Sequence, residues 1–364
     1  MDALALAQLG AGLVILVGGA EVLVRGAARL ATALGISPLV VGLTVVAFGT
    51  SAPELAVGVS SAVAGQPDIA LGNVVGSNIA NILLVLGLAA LAAPVVAGVR
   101  VVRREVPLMI GASVALWLMA LSGHIDRLEG TILLAGIVVY VALLAWSSRR
   151  ESGRVQAEFA AEFGVPEGGS WRPLGNLVMA VAGLVLLVAG ADWIVGGATT
   201  LATDLGVPEI VVGLTIVAVG TSLPEIATSV LAGLRGHRDI AVGNVVGSCV
   251  FNVLMVLGAT AVVSPQPLRV SPDLLAVDVP FMVAAAAACL PILYTGLVVD
   301  RREAALLLGF YIAYLVYLGL VAFDQPGAGA FGSALILGAV PVAGLILTAS
   351  AVRSWSRRRR GAIA

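Results

Sequence analysis

Two glutamates, Glu54 and Glu225, each stand inside a long apolar run, directly after Gly-Thr-Ser-Ala-Pro in one case and Gly-Thr-Ser-Leu-Pro in the other. A carboxylate in such a run is costly in lipid, so its presence points to a site. Each acid has polar company at fixed spacing. Thr50 and Glu54 are four residues apart, as are Ser77 and Asn81, so each pair shares one face of a helix. Thr221 with Glu225 and Ser248 with Asn252 repeat the pattern, and Ser51 and Ser222 stand beside the threonines. Pro53 and Pro224 remove a helical N–H and crowd the carbonyls of Gly49 and Gly220 four residues back. Gly42, Gly49 and Gly58 weaken the helix further. Broken backbone at membrane depth survives only where it is buried in protein or lines a cavity. The carbonyls from Ala47 to Thr50 and from Ala218 to Thr221 therefore join the candidate ligands. Every donor in this set is an oxygen. Hard cations such as Ca²⁺ gather six to eight oxygens, whereas transition metals favour His and Cys. His124 and His237 fall in loops, and Cys249 only adjoins Ser248. Two glutamates carry a formal charge of −2, which one Ca²⁺ neutralises and three Na⁺ overshoot by one. On that count the Na⁺-loaded site carries charge.

The second acid is a copy of the first. Gly42 to Glu54, then Asp68 to Asn81, recur as Gly213 to Glu225, then Asp239 to Asn252, always 171 residues later. The two copies read as halves of one cation site at mid-membrane. Each part also has a plainer reading. The glycines of Gly72-Asn-Val-Val-Gly-Ser can serve close helix packing. Asn73 and Asn244 can bond between helices, and Ser51 and Ser222 can bond carbonyls of their own helix. The glutamates resist a salt-bridge reading, because none of the 20 basic residues, all arginine, lies mid-span. Glu21 and Asp192, also 171 apart, read as helix-end or interface residues.

Composition sets the class. Of 364 residues, 60% are hydrophobic and 11% charged, with a mean hydropathy of +1.07. This is an all-α polytopic membrane protein. The net charge of −1 gives nucleic acid no purchase. Cys249 and Cys289 read as free core thiols. Asp2 and the lack of a basic leader argue that Leu4 to Ala20 stays as the first span. Apolar runs place spans near 3–22, 37–64, 69–93, 105–123, 128–146, 173–200, 208–233, 240–264, 275–298, 303–323 and 329–351. Residues 1–146 form a first five-span repeat, 147–172 a polar cytoplasmic linker with one short helix, and 173–323 a second repeat. Residues 324–364 add an extra span and a basic tail.

Five spans before the linker make the second repeat enter the membrane from the opposite side, an inverted topology common in secondary transporters. With the N-terminus outside, eighteen of the twenty arginines lie on the cytoplasmic side, and only Arg127 and Arg269 lie outside. That is a strong positive-inside bias for a cell (inner) membrane protein with a cytoplasmic C-terminus. Arg357 to Arg360 read as a topology anchor, with anionic lipid as a further contact.

At Gly49-Thr-Ser-Ala-Pro-Glu54 and Gly72-Asn-Val-Val-Gly-Ser-Asn-Ile-Ala-Asn81, with their copies, the sequence resembles the calcium/cation antiporter superfamily, and within it the prokaryotic sodium/calcium exchangers. The resemblance covers about residues 1–323. It implies a ten-helix exchanger core of two inverted five-helix halves, in which spans 2, 3, 7 and 8 are crossed by long tilted spans 1 and 6. It implies that Glu54 and Glu225 coordinate Ca²⁺ with help from Thr50 and Thr221. It also implies Na⁺ sites shared among the Ala47 and Ala218 carbonyls, Thr50, Ser51, Ser77, Thr221, Ser222, Ser248 and the carboxylates. Asn81 and Asn252 then take a central polar position. Some potassium-dependent relatives have aspartate where Asn252 stands, and proton-coupled ones have glutamate where Gly76 and Gly247 stand. Both departures favour Na⁺ over K⁺ or H⁺ as the coupling ion. The expected activity is Na⁺/Ca²⁺ exchange by alternating access, with Ca²⁺ and Na⁺ as substrates, the bilayer as surroundings and no cofactor. A passive cation channel would share the acidic midplane but needs no inverted duplication. An enzyme would need a nucleophile with a base partner, and none is in sight.

Overall fold

The computed structural model describes residues 3–34, 36–163, 172–206, 218–294 and 296–349. Helices occur at every predicted span, although residues 207–217 of the seventh lie outside the described residues. The chain is inside-out relative to a water-soluble protein. Val14, Leu337 and Leu345 are 73%, 79% and 71% exposed, while Thr50, Glu54, Glu225 and Asn252 are fully buried. An apolar exterior around a polar interior suits a lipid solvent.

The first helix, α1 (Ala3–Leu34), has 32 residues. At 1.5 Å per residue it is about 48 Å long, well beyond a ~30 Å hydrocarbon layer, so it must tilt or protrude. The second span is broken into α2 (Leu39–Thr50) and α3 (Ala52–Val63), bent by 42° at Ser51. Then come α4 (Pro67–Ala92) and α5 (Val106–Ala120), with α5 entered through a π-helical turn at Val101–Glu105. The fifth span, α6 (Arg127–Phe163), runs on as a helix through residues 147–163 of the predicted linker. The second half repeats the order. It contains α7 (Arg172–Asp204), the half-helices α8 (Ala218–Thr221) and α9 (Leu223–Leu234), α10 (Arg238–Val263), α11 (Leu274–Tyr294) and α12 (Arg301–Ala322). The final helix, α13 (Ala328–Ala349), lies against α12 and α11.

The two long helices, α1 and α7, pack antiparallel, backbone against backbone. Gly12, Gly19 and Gly26 recur every seven residues on α1, and Gly183, Gly190 and Gly197 do so on α7. A Cβ at Gly19 would sit 2.6 Å from Leu187 N and 2.9 Å from Gly183 O; one at Gly190 would sit 2.5 Å from Leu16 N. In lipid there is little hydrophobic drive for helices to associate, so such close approach through glycine supplies the contact energy. At the side, Glu21 of α1 pairs with Arg25 and reaches across to Arg235, 3.0 Å away, an interface role.

Two short strand pairs tie the halves together. β1 (Val95–Val96) pairs antiparallel with β4 (Val298–Val299), and β2 (His124–Ile125) pairs with β3 (Leu268–Arg269). Each pair joins a loop of one half to a loop of the other. A second correspondence lies between the spans. Tyr140 of α6 donates to Glu105 Oε2 at 3.2 Å, and Tyr314 of α12 donates to Asp278 Oδ1 at 3.0 Å. Each acid ends a π-helical turn and is followed by Val-Pro. Glu105 has a further partner in Arg100 at 3.4 Å. Tyr140→Phe and Tyr314→Phe each remove a hydrogen bond to an acid, buried Glu105 and half-buried Asp278, so each is expected to lower stability by about 1–3 kcal/mol. Thermal unfolding in detergent measures this. No loss in either variant would show that the pairs are idle.

Candidate cation-binding site

The site begins at the two helix breaks. Ser51 has φ −82° and ψ 5°, and Ser222 has φ −88° and ψ 1°, values between the helical and extended regions. Each break is followed by a new helix whose first turn holds the proline and the glutamate. Proline is tolerated there because its missing N–H would have been an orphan, and the acid sits at the positive end of the helix dipole. The sequence thus folds into two half-helix N-termini, each presenting a glutamate.

The amide side chains fix these ends. Asn73 Nδ2 on α4 donates to the Glu54 backbone carbonyl at 3.0 Å, and Asn244 Nδ2 on α10 reaches the Glu225 carbonyl at 3.5 Å. The two bonds span the same 19 residues in each half. Asn244 does more than Asn73. Its Nδ2 also donates to Ser229 Oγ at 2.9 Å, and its Oδ1 accepts from Thr50 Oγ1 at 3.1 Å. Ser229 has no hydroxyl counterpart, because Gly58 stands 171 residues earlier. Thr50 Oγ1 also lies 3.3 Å from Ser248 Oγ and 3.4 Å from the Ala47 carbonyl. The two halves therefore interlock through Thr50.

Glu54 and Glu225 are fully buried, and among the described residues none of their four carboxylate oxygens meets a hydrogen-bond partner of good geometry. They stand close enough to repel each other, with the Thr50 hydroxyl beside Glu225. Their isolation belongs to a set. The buried polar atoms without partners include Ser51 and Ser222 Oγ, both glutamates, and the side-chain amides of Asn81 and Asn252. These six residues are three pairs, each 171 apart. Buried polar groups are nearly always paired, so such a set calls for a ligand, and two bare carboxylates call for a cation.

The remaining predicted residues fall as follows. Ser77 and Ser248 are buried and Thr221 is half-buried. The Ala47 carbonyl accepts from Ser51 N at 3.0 Å and keeps a second lone pair. The backbone of Ala218 opens α8, and its side chain is outside the described residues. Asn81 and Asn252 each begin a π-helical turn, Asn81–Val85 and Asn252–Leu257. A π turn widens the helix locally and often marks a functional site. Among the described residues no three His, Cys, Asp or Glu side chains gather as a metal cluster, so neutral oxygens must complete any coordination shell here. Three buried orphans escaped the sequence reading: Asn78 Oδ1, Thr228 Oγ1 and Thr260 Oγ1. Their counterparts are Cys249, Val57 and Ala89, so comparison of the two copies could not flag them. Cys249 and Cys289 are free, buried thiols.

The family model described as sodium/calcium exchanger protein matches residues 4–146 and 175–320, both halves of the chain. The chain belongs to this family. It is a multi-pass membrane antiporter for cations including Ca²⁺. Among curated relatives, the inner membrane protein YrbG of Escherichia coli is 39% identical over 281 residues, covering 74% of this chain and 84% of that protein. The sodium/calcium exchanger MaX1 of Methanosarcina acetivorans is 33% identical over 341 residues, covering 84% and 96%. A solved structure of the sodium-calcium exchanger NCX_Mj, soaked without Na⁺ and Ca²⁺, superposes with a TM-score of 0.74 at 26% identity, covering 87% of this chain and 99% of that one.

Proposed function

We propose that this exchanger trades Na⁺ for Ca²⁺ across the cell membrane by alternating access. Glu54 and Glu225 hold the Ca²⁺ between them, with Thr50 and Thr221. Na⁺ occupies overlapping positions made by Ser51, Ser77, Ser222, Ser248, Asn81, Asn252 and the Ala47 and Ala218 carbonyls. The observation that carries the reading is the pair of buried, neighbouring glutamates with no cationic side chain beside them among the described residues. Residues 1–146 and 173–323 act as the two inverted halves, joined by the 147–172 linker, with the N-terminus outside and the tail after residue 324 ending in the cytoplasm. An unloaded site leaves two bare charges in apolar surroundings, which resists its passage from one side to the other. A bound Ca²⁺ or a set of Na⁺ ions removes that resistance. The inward Na⁺ gradient then drives Ca²⁺ out, and the two-carboxylate count makes exchange with three Na⁺ electrogenic.

The test is uptake of radioactive calcium by proteoliposomes under an imposed Na⁺, pH or K⁺ gradient. Uptake driven by internal Na⁺ alone, and enhanced by a membrane potential of the matching sign, is the expected result. Uptake driven by a pH gradient without Na⁺ contradicts the Na⁺ reading, and calcium flux that ignores the counter-ion contradicts exchange.

The asparagine anchors yield a graded prediction. Asn73→Ala removes one bond to a glutamate carbonyl, whereas Asn244→Ala also frees Ser229 and Thr50. Outer-shell partners of a metal site are worth roughly 10–100-fold in affinity. Asn244→Ala is therefore expected near the upper end of that range and Asn73→Ala near the lower, measured as half-saturating Ca²⁺ in the same vesicles. Equal effects would contradict the asymmetric anchoring.

A further inference from the structure

The two halves repeat in sequence but not in packing. On α1, Leu23, Val24, Ala27 and Ala31 are buried. Their counterparts on α7, 171 residues later, are Ile194, Val195, Ala198 and Ala202, and these are only half-buried. The face that α1 covers belongs to α9, whose Ala227 and Leu231 pack against the α1 cluster. The matching residues of α3, Ala56 and Ser60, are exposed. The first turn of α9 holds Glu225, and the first turn of α3 holds Glu54. The flank of the site under α1 is therefore shut, while the equivalent flank beside α3 is less covered.

Charge breaks the symmetry at the same place. Arg235, the residue after α9, donates from Nε to Glu21 Oε2 of α1 at 3.1 Å, with Nη2 3.0 Å from the same oxygen. Glu21 is also paired with Arg25, one turn along its own helix. Its side chain is 20% exposed, so the pair is more than a solvated surface contact. In the other half the acid recurs and the bases do not. Asp192 stands where Glu21 does, but Gly196 replaces Arg25 and Ala64 replaces Arg235. Asp192 and Ala64 are both exposed. The ion pair thus spans α1 and α9 on the shut flank, and the less covered flank has no base at the matching position.

We propose that Glu21 and Arg235 form a one-sided latch, which holds α1 on α9 and makes the state closed on that flank the resting state of the exchanger. The inference rests on the alternating-access reading and deepens it: the two access states are unequal because only one carries the ion pair. In the proposed orientation the latched flank faces the cytoplasm. Glu21 and Arg235 are positioning residues, since they act on the ion through the helix that covers its path. An ion pair present in one state and broken in the other biases their equilibrium by its net strength.

The test reads the closed flank directly. In the full-length protein, solubilised in detergent with Ca²⁺, Ala227→Cys is labelled with a water-soluble maleimide. The chain without that change, whose Cys249 and Cys289 are buried, gives the background. Labelling requires α1 to lift, so its rate follows the fraction of molecules open on this flank. Glu21→Gln and Arg235→Gln are each expected to speed it about three- to fivefold, the upper range for an exposed ion pair. The double variant should go no further, because both changes break one contact. Arg25→Gln, which removes only the partner on α1 itself, should stay within about twofold. A structural role predicts damage, whereas a latch predicts a gain. In oriented vesicles Arg235→Gln should lower half-saturating Ca²⁺ at the latched face by the same factor, without lowering it at the other. Unchanged labelling in Arg235→Gln, an equal rise in Arg25→Gln, effects that multiply in the double variant, or weakened Ca²⁺ at both faces each overturns the proposal. If Glu21→Gln does not fold, Arg235→Gln, at a side chain 54% exposed, carries the test alone. The labelling depends on neither the coupling ion nor the orientation, so its failure is distinct from a failure of the exchange reading.

Discussion

Glu54→Gln is expected to abolish calcium exchange and to leave the protein at least as stable as before. The change keeps shape and removes one charge. At an effective dielectric near 20, one unit charge about 4 Å from another is worth about 4 kcal/mol. Ca²⁺ carries two charges, so loss of that attraction lowers its affinity by roughly a thousandfold or more. The stability half of the prediction separates a transport role from a structural one. Both carboxylates are buried, close to each other and, among the described residues, without a cationic partner, so the ion-free protein bears an uncompensated cost. Neutralising one should hold or raise the melting temperature in the absence of divalent ions. Glu225→Gln should behave the same way, although Thr50 beside it gives that acid one more neighbour. A variant that exchanges Ca²⁺ normally, or one that melts several degrees lower without ions, would show that the acid belongs to the scaffold.

The second large effect concerns the long helix pair. Gly190→Leu is expected to cost about 3 kcal/mol or more and to stop transport. Any side chain at 190 begins with a Cβ 2.5 Å from Leu16 N, 2.8 Å from Leu16 Cα and 2.9 Å from Gly12 O, all backbone. Backbone cannot rotate out of the way as a side-chain tip can, so the helices must part. Overpacking of this kind commonly costs 1–3 kcal/mol, and here the whole glycine seam would open. Gly18→Leu supplies the comparison. Gly18 is one residue from the seam on the lipid side, and its Cβ would meet nothing within 4 Å. Thermal unfolding of both variants, with exchange measured alongside, should show Gly190→Leu impaired and Gly18→Leu near wild type. Similar behaviour of the two would show that close approach of the helices is dispensable.

Much of the site could be read from the chain because its chemistry repeats in register. The offset of 171 holds from Glu21 and Asp192 through Asn81 and Asn252, and it brings out the glutamates, hydroxyls and amides together. The helix breaks were legible because Pro53 and Pro224 leave the backbone few alternatives. The same fixed register hid what lies beyond it. Between Asn252 and Asp278 the second half has gained two residues, so Glu105-Val-Pro and Asp278-Val-Pro no longer align at 171, and the twin acid–tyrosine pairs passed unnoticed. Asn73 and Asn244 look equivalent in sequence. Only the folded chain shows Asn244 gathering Ser229 and Thr50, because those partners come from other helices. The glycines of α1 and α7 were hard to tell from the protein's many others, since glycine carries no chemistry of its own and a seven-residue spacing matters only once a partner helix is known. The π-helical turns at Asn81 and Asn252 have no residue-type signal at all. The linker's expected short helix is instead a continuation of α6 through residue 163, a continuity obscured by the charge of 147–163, which resembles that of a solvated linker.

The account rests on one divalent ion shared by Glu54 and Glu225. Its most direct test is an anomalous difference map from crystals of the protein soaked in strontium without sodium. One strong peak within coordination distance of both carboxylates and of Thr50 is the predicted result. A peak held by other residues, or none beside either glutamate at saturating strontium, would contradict it.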